Sequence, residues 1–360
     1  MLIYISIFIV LILFSMINLY IKKENLKFVY IAFGVFITLF TATRDNIGGS
    51  DYFVYKDYFN NITNIFNLQG YDYFIKYEIG YKYLNALIKC FTNNYIWLFF
   101  IIAMITIPII LKLNYQYCKY PFFTMAFYMY KTFFYTNFIA MRQSIALTIF
   151  IVAFKYIING DFKKYAFSII IASLFHSSAI VLLPLYFVRK IKFYKLSFIQ
   201  IILIGGIILI FSNSIIDILE VLLKLFGFSQ NIIIKISNIK SSVGINLHVF
   251  EMIFIYFIFR KTYKINNKKD EVVINIFILY CILTIAFSMQ VIFIRIAMYF
   301  YFIIMIFISR SLENIKDLKY KQLLIYILAI LFLLGYIKYI IQFDNGGLLP
   351  YKSVISLGGY

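Results

Sequence analysis

Cysteine is scarce in this chain, and its placement excludes most of what cysteine does. Cys90, Cys118 and Cys281 lie far apart, follow no CxxC spacing and have no histidine nearby. Neither a disulfide framework nor a thiolate metal site is indicated. Charge is nearly as scarce: 14% of the 360 residues are charged, and 34 lysines and arginines outnumber 15 acids. No polar stretch is long enough for a soluble domain, because the widest gap between apolar runs, 43–95, is itself rich in aromatic residues. What the chain has in excess is apolar surface. With 63% hydrophobic residues, 42 Phe, 33 Tyr and a mean hydropathy of +0.89, it could not stay dissolved in water. It reads as an all-α, polytopic integral membrane protein with a single domain over 1–360. The net charge of +19 does not point to nucleic acid, since the basic residues sit in short clusters between apolar runs, where membrane topology accounts for them.

Ten apolar runs read as spans: 2–20, 28–43, 95–111, 122–136, 139–158, 197–212, 247–259, 272–289, 291–308 and 323–341. A span needs about twenty apolar residues, so the shorter runs fix only approximate ends. The first has no basic residues ahead of it and no small-residue cleavage site, and reads as a retained span rather than a signal peptide. Lys22, Lys23 and Lys27 place the first loop in the cytoplasm, which puts the N-terminus outside and brings Arg44 out on the outer face. Lys112, Lys119, Lys155, Lys163 and Lys164 then fall inside. The run from Lys164 to Arg189 is too long for one span and too short for two. A single crossing would send the cluster Arg189, Lys190, Lys192 and Lys195 outside and invert every later basic loop. A re-entrant helical hairpin over 164–189, turning at His176-Ser177-Ser178, removes that conflict. The cytoplasmic loops then hold 21 of the 34 basic residues and 6 of the 15 acids. Non-helical backbone at such a turn needs protein or a wet cavity around it. The outer loop covers 44–94 and includes an amphipathic, aromatic helix over 71–91 lying in the interface; the tail 342–360 is also outside.

This topology collects ionisable residues on one side. Arg44, Asp45, Asp51, Arg142, Arg295 and Lys352 all fall on or near the outer face. The turn carrying His176 rises toward them from below, since a dozen helical residues cover about 18 Å of an about 30 Å core. An outward-facing basic cavity is the expectation. In TATRDNIGGSDYFVYKDYF, Gly48 and Gly49 either turn the chain or let backbone N–H groups approach an anion closely. Glu78 lies on the aromatic helix, whose tyrosines serve interfacial packing or sugar stacking. Arg142, next to Gln143, either anchors its span at headgroup level or takes part in the site. Arg295 stands about four residues inside an apolar run, where burying it costs enough to expect a function. Two or three guanidinium forks around one cavity suit a pyrophosphate better than a neutral ligand. His176 either satisfies itself on Ser177 or Ser178, or acts as the best available general base. His248 reads as structural.

The ordered set IAMRQSIALTIFIVAFKYI, ASLFHSSAIVLLPLYF, RIAMYF and LLPYKS resembles the EpsG family of bacterial polysaccharide polymerases, often grouped with Wzy-type O-antigen polymerases. RDNIGGSDYFVY and YEIGYKYLNALI are similar to that family's first outer loop. The resemblance implies a polytopic glycosyltransferase of the bacterial cytoplasmic membrane. Such an enzyme joins oligosaccharide repeat units carried on undecaprenyl diphosphate, at the outer face, into O-antigen, capsule or exopolysaccharide; a chain-length regulator is a possible partner. No cofactor and no metal is implied, and no DxD-like nucleotide-sugar motif is called for, because a lipid-linked donor carries its own activated diphosphate. By position the resemblance carries over to Arg44, Asp45, Gly49, Asp51, Glu78, Arg142, Gln143, His176, Ser177, Arg295 and Lys352. Chemistry then suggests His176 as the base, with Asp45 or Asp51 as rivals or as sugar ligands, and the arginines with Lys352 around the departing diphosphate. A flippase for lipid-linked oligosaccharide would also need a cationic cavity, but should show internal repeats or paired broken helices. A membrane acyltransferase could use His176 but leaves the outer arginines unexplained.

Overall fold

The computed structural model describes residues 1–67, 77–225, 247–288, 290–342 and 347–354. Among them every regular element is helical, and the one β pairing is an isolated bridge between Arg44 and Ser353. In chain order the α-helices are α1 (Leu2–Tyr20), α2 (Lys27–Ala42), α3 (Gly49–Asn61), α4 (Ile79–Lys89), α5 (Ile96–Tyr117), α6 (Pro121–Tyr128), α7 (Met141–Asn159), α8 (Phe162–Ser173), α9 (Phe198–Leu225), α10 (Leu247–Phe259), α11 (Lys268–Ala286), α12 (Val291–Glu313) and α13 (Leu318–Gln342). Five are long and apolar enough to cross a membrane: α1, α5, α7, α12 from Arg295 on, and α13. Three shorter apolar helices lie at Lys27–Ala42, Phe198–Ser214 and His248–Phe259. The chain is a multi-pass membrane protein.

The chain forms two compact units, Met1–Leu183 with Ile315–Tyr360, and Pro184–Asn314. In the first, α1 packs on α6, α2 on α5 and α7 on α8. The apolar runs expected at 122–136 and 139–158 are joined differently from a simple loop. α6 runs on through two π-helical turns, Met129–Phe133 and Tyr135–Ile139, and the helical path breaks only at Ala140 (φ −84°, ψ 55°). Polar side chains support the wide turns: Asn137 Nδ2 donates to the Phe133 carbonyl at 2.8 Å, and Ser144 Oγ donates to Asn137 Oδ1 at 3.0 Å. Such π turns concentrate at functional sites. The break starts α7 at Met141, so Arg142 falls in its first turn.

The far end of α7 is sequence-coded. Gly160 takes a left-handed conformation (φ 82°) and donates to the Tyr156 carbonyl, and Asp161 Oδ1 then caps α8 by accepting the Lys164 N–H at 3.1 Å. After α8 the chain turns at Leu174, Phe175 and His176 and returns as a 3-10 helix, Ser177–Lys190. Tyr165 Oη donates to the Leu182 carbonyl at 2.7 Å, tying the outgoing arm to the start of the return.

Two local forms differ from the sequence reading. The helix expected over 71–91 is α4, which begins only at Ile79; residues 71–76 of that expectation lie outside the described residues, as do Met289, 343–346 and 355–360. The segment after Gly49 is not a plain polar loop but α3, with Tyr52, Tyr55, Tyr58 and Phe59 buried at helical spacing. These rings join Tyr81, Phe99 and Met141 in an aromatic core.

In the second unit, α11 is buried on nearly all sides and is capped by Asn267, whose Oδ1 accepts the Asp270 N–H at 3.0 Å. Arg310 lies 3.6 Å from buried Asp270 and 3.1 Å from Glu313. Asn275 Nδ2 donates to the Ile191 carbonyl, and Arg260 to that of Tyr194, fastening the basic loop to this unit.

Candidate active site

A cation in the first turn of a helix opposes the helix dipole, so Arg142 needs another reason to stand at the head of α7. The reason is Glu78. Arg142 Nη1 donates to Glu78 Oε2, and its guanidinium lies over the Tyr77 ring at 4.3 Å. Tyr55, on α3, also interacts with it. Glu78 Oε1 accepts the Ser177 N–H at 3.0 Å and lies 3.5 Å from His176 Nδ1. One carboxylate thus joins the start of α4, the start of α7 and the turn after α8. Burial would raise its pKa, but His176, the Arg142 charge and the Ser177 N–H outweigh burial and hold it at about 2. It is ionised at any physiological pH.

Backbone geometry brings these motifs together. The Gly80 N–H donates to the Leu174 carbonyl at 2.7 Å, and a Cβ on Gly80 would stand 2.8 Å from that oxygen. YEIG and FHSS therefore meet only because residue 80 is glycine. His176 is not satisfied by Ser177 or Ser178, as one reading of the sequence had it. Its side chain is 13% exposed, Nδ1 stands against Glu78, and among the described residues Nε2 makes no hydrogen bond. An imidazole whose Nδ1 stands 3.5 Å from an ionised carboxylate can take a proton on Nε2, while the carboxylate stabilises the imidazolium that forms.

A second cluster forms where α2 ends. Arg44 does not line an open cavity, contrary to the sequence expectation: it is 1% exposed, its guanidinium 4.8 Å from the Phe99 centroid and 4.9 Å from that of Phe138. Nη1 donates to the Thr41 carbonyl at 2.7 Å and Nη2 lies 3.1 Å from Met141 Sδ. Aromatic faces, sulfur and a helix-end carbonyl replace an acid here. Burial lowers its pKa to about 10, which leaves it charged at neutral pH. The segment 347–354 is zipped against this end of α2, with Asp45 N–H donating to the Lys352 carbonyl and Val354 N–H to that of Thr43. Tyr351 stacks on Phe40 at 4.0 Å. LLPYKS and TATRD, three hundred residues apart, are thus one local structure.

The remaining expected residues divide between these places. Asp45 accepts from Tyr52 Oη at 3.0 Å, with Tyr95 Oη at 3.5 Å. Gly49 opens α3, and Gly48 before it (φ 133°) leaves no room for a Cβ, which would come 2.4 Å from the Phe138 carbonyl; close packing accounts for this glycine. Asp51 is in the first turn of α3, Gln143 is buried on α7, and the Lys352 side chain is exposed. Arg295 belongs to the second unit and, contrary to the burial inferred from its apolar flanks, is exposed on α12. His248, read as structural, lies 3.7 Å from Glu251 one turn along α10. The sequence did not single out Tyr55, Tyr77, Met141 or Gly80; a lone acid between aromatics with a glycine two places on was the signal available.

A comparison with known protein families matches the EpsG family over residues 27–353. The chain belongs to the EpsG family. It is a family of Wzy-type polysaccharide polymerases, and its match takes in Glu78, Arg142 and His176 of the first cluster and Arg44, Asp45 and Lys352 of the second. No curated protein and no solved structure matches the chain.

Proposed function

We propose that this EpsG-family chain is a glycosyltransferase that joins lipid-diphosphate-linked oligosaccharide repeat units at the outer face of the bacterial cytoplasmic membrane. The acceptor sugar hydroxyl gives its proton to His176 Nε2 as its oxygen bonds to the anomeric carbon of the donor. The bond from that carbon to the diphosphate breaks, and the diphosphate leaves with the electron pair. Arg142 supplies positive charge to the departing oxygens, where electrostatic stabilisation is worth most. Asp45, held by Tyr52 and Tyr95, serves as a sugar-hydroxyl ligand. The observation that carries this reading is the His176 imidazole, its Nδ1 3.5 Å from Glu78 and its Nε2 without a hydrogen bond among the described residues, one residue from the backbone that Glu78 also holds.

A site facing outward acts on repeat units that have already crossed, so losing the chemistry leaves those units intact. His176→Ala cells should accumulate single lipid-linked repeat units reachable by probes from outside, with polymerisation slowed about 10²- to 10⁴-fold. Normal-length chains would remove His176 from the mechanism. Units trapped on the inner leaflet would point to a transporter.

A further inference from the structure

A cavity of about 530 Å³ lies between α2 and α5, and none of the residues named in the two clusters lines it. Its α2 wall is one helical face, Lys27, Ile31, Gly34, Val35 and Thr38, and its α5 wall includes Met104, Pro108 and Lys112. The helices are antiparallel: Lys23 Nζ donates to the Tyr115 carbonyl, Tyr30 Oη to that of Leu111, and Gly34 faces the Leu111 side chain. Lys27 and Lys112 therefore flank the same end, while Thr38 and Met104 lie at the other. Along its length the groove is apolar and open, with Ile31, Val35 and Met104 each about half exposed. Gly34 supplies no side chain to fill it. No acid lines it.

We propose that this groove binds one phospholipid with an anionic headgroup, its phosphate between Lys27 and Lys112 and an acyl chain along the Gly34 face. The volume lies within the range of ligand pockets, and the charge stands at one end only, as a single-headed lipid requires. An isoprenoid carrying a diphosphate at the outer face does not fit, because the cations would lie at the wrong end of its chain. On the positive-inside reading, the lysine end is cytoplasmic, where anionic headgroups are plentiful.

The test uses the full-length protein in nanodiscs of phosphatidylcholine doped with phosphatidylglycerol, with bound lipid counted by native mass spectrometry after release. A lysine near a membrane surface is worth roughly fivefold toward an anionic lipid, so the Lys27→Gln, Lys112→Gln pair should lower phosphatidylglycerol occupancy about 25-fold. The Lys22→Gln, Lys119→Gln pair, equally exposed but not lining the groove, should change it less than about twofold. Val35→Trp fills the groove from an exposed position and should remove the preference for phosphatidylglycerol with both lysines in place. Equal losses from the two lysine pairs would reduce the effect to general surface attraction and overturn the site. So would unchanged occupancy in Val35→Trp.

Discussion

Arg44 and Arg142 each stand at the end of an apolar helix, and their surroundings are opposite. Arg44 is sealed between Phe99 and Phe138 and makes no ion pair among the described residues. Arg142 is about one-fifth exposed and shares Glu78 with His176 and Ser177. Arg44 follows the C-terminus of α2, where a cation suits the dipole and its guanidinium caps the Thr41 carbonyl; Arg142 is in the first turn of α7, where a cation does not. A residue placed against its local preference and held there by a dedicated acid is the better candidate for chemistry. Met141 touches both regions, since its sulfur meets Arg44 and the next residue is Arg142. The buried arginine thus helps to fix the residue that precedes Arg142.

The comparison is tested most strongly at Arg142. Arg142→Lys keeps the charge but loses the fork, and polymer synthesis should fall about 100-fold while the protein stays in the membrane. Arg142→Met takes the guanidinium away from Glu78 and should cost about 3 kcal/mol of stability, the low end for a broken buried pair because both partners keep some solvent and Glu78 keeps Ser177 and His176. Adding Glu78→Gln should restore that stability without restoring polymer. If the double variant also makes full-length polymer, Arg142 is a structural brace and the contrast with Arg44 loses its functional meaning.

Acid should reveal the same hub. The Glu78 carboxyl lies at about 2 against an ordinary 4.5, so its stabilising contribution is complete above about pH 4.5 and is lost as pH falls toward 2. At roughly 1.4 kcal/mol per unit the whole shift is worth about 3 kcal/mol, of which about 2 is gone by pH 3. Thermal unfolding of the purified protein between pH 6 and pH 3 should therefore steepen with acid, and Glu78→Gln should flatten the curve. Parallel curves for the two proteins would mean that Glu78 is not held as tightly as its three partners imply.

Gly80 ranks next. A methyl at residue 80 must push the Leu174 carbonyl away, and overpacking of this kind costs about 1–3 kcal/mol. Gly80→Ala should separate α4 from the turn and lower polymer yield severalfold more than it lowers the amount of protein. Equal losses would show that the contact serves folding alone.

How much of this could be read from the chain divides along the same line. Apolar runs gave the all-helical membrane class, because lipid leaves few other options for the backbone. The order of motifs marked Arg142, His176 and Glu78 as candidates, and Gly160-Asp161 after α7 is legible as a left-handed glycine that ends one helix and a cap that starts the next. Pairings were not legible. Glu78 and Arg142 are 64 residues apart, and no local rule links an acid in an aromatic loop to a cation three helices further on. Arg44 misled for a complementary reason: positive-inside topology places a residue on a side of the membrane but says nothing of whether aromatic rings close over it. Arg295 misled in the other direction, since an apolar run fixes a helix and not which of its faces is covered.

The smallest expected effect is at Arg44. Replacing a buried cation that has no acid partner by an apolar chain of similar length removes a desolvation penalty along with two ring contacts, and such exchanges often come out near balance. What Arg44→Met should lose is the cap on the Thr41 carbonyl, about 1 kcal/mol, offset by the relief of burial. The melting temperature should therefore move only a few degrees, and polymer length should be unchanged. Arg44→Ala differs, because it opens a void between Phe99, Phe138 and Met141 and should cost about 3 kcal/mol. Loss of polymer in Arg44→Met with normal protein yield would reverse the assignment. It would mean that the guanidinium leaves its rings in the working state and meets substrate, and that the sealed arrangement is the resting form of a second anion ligand.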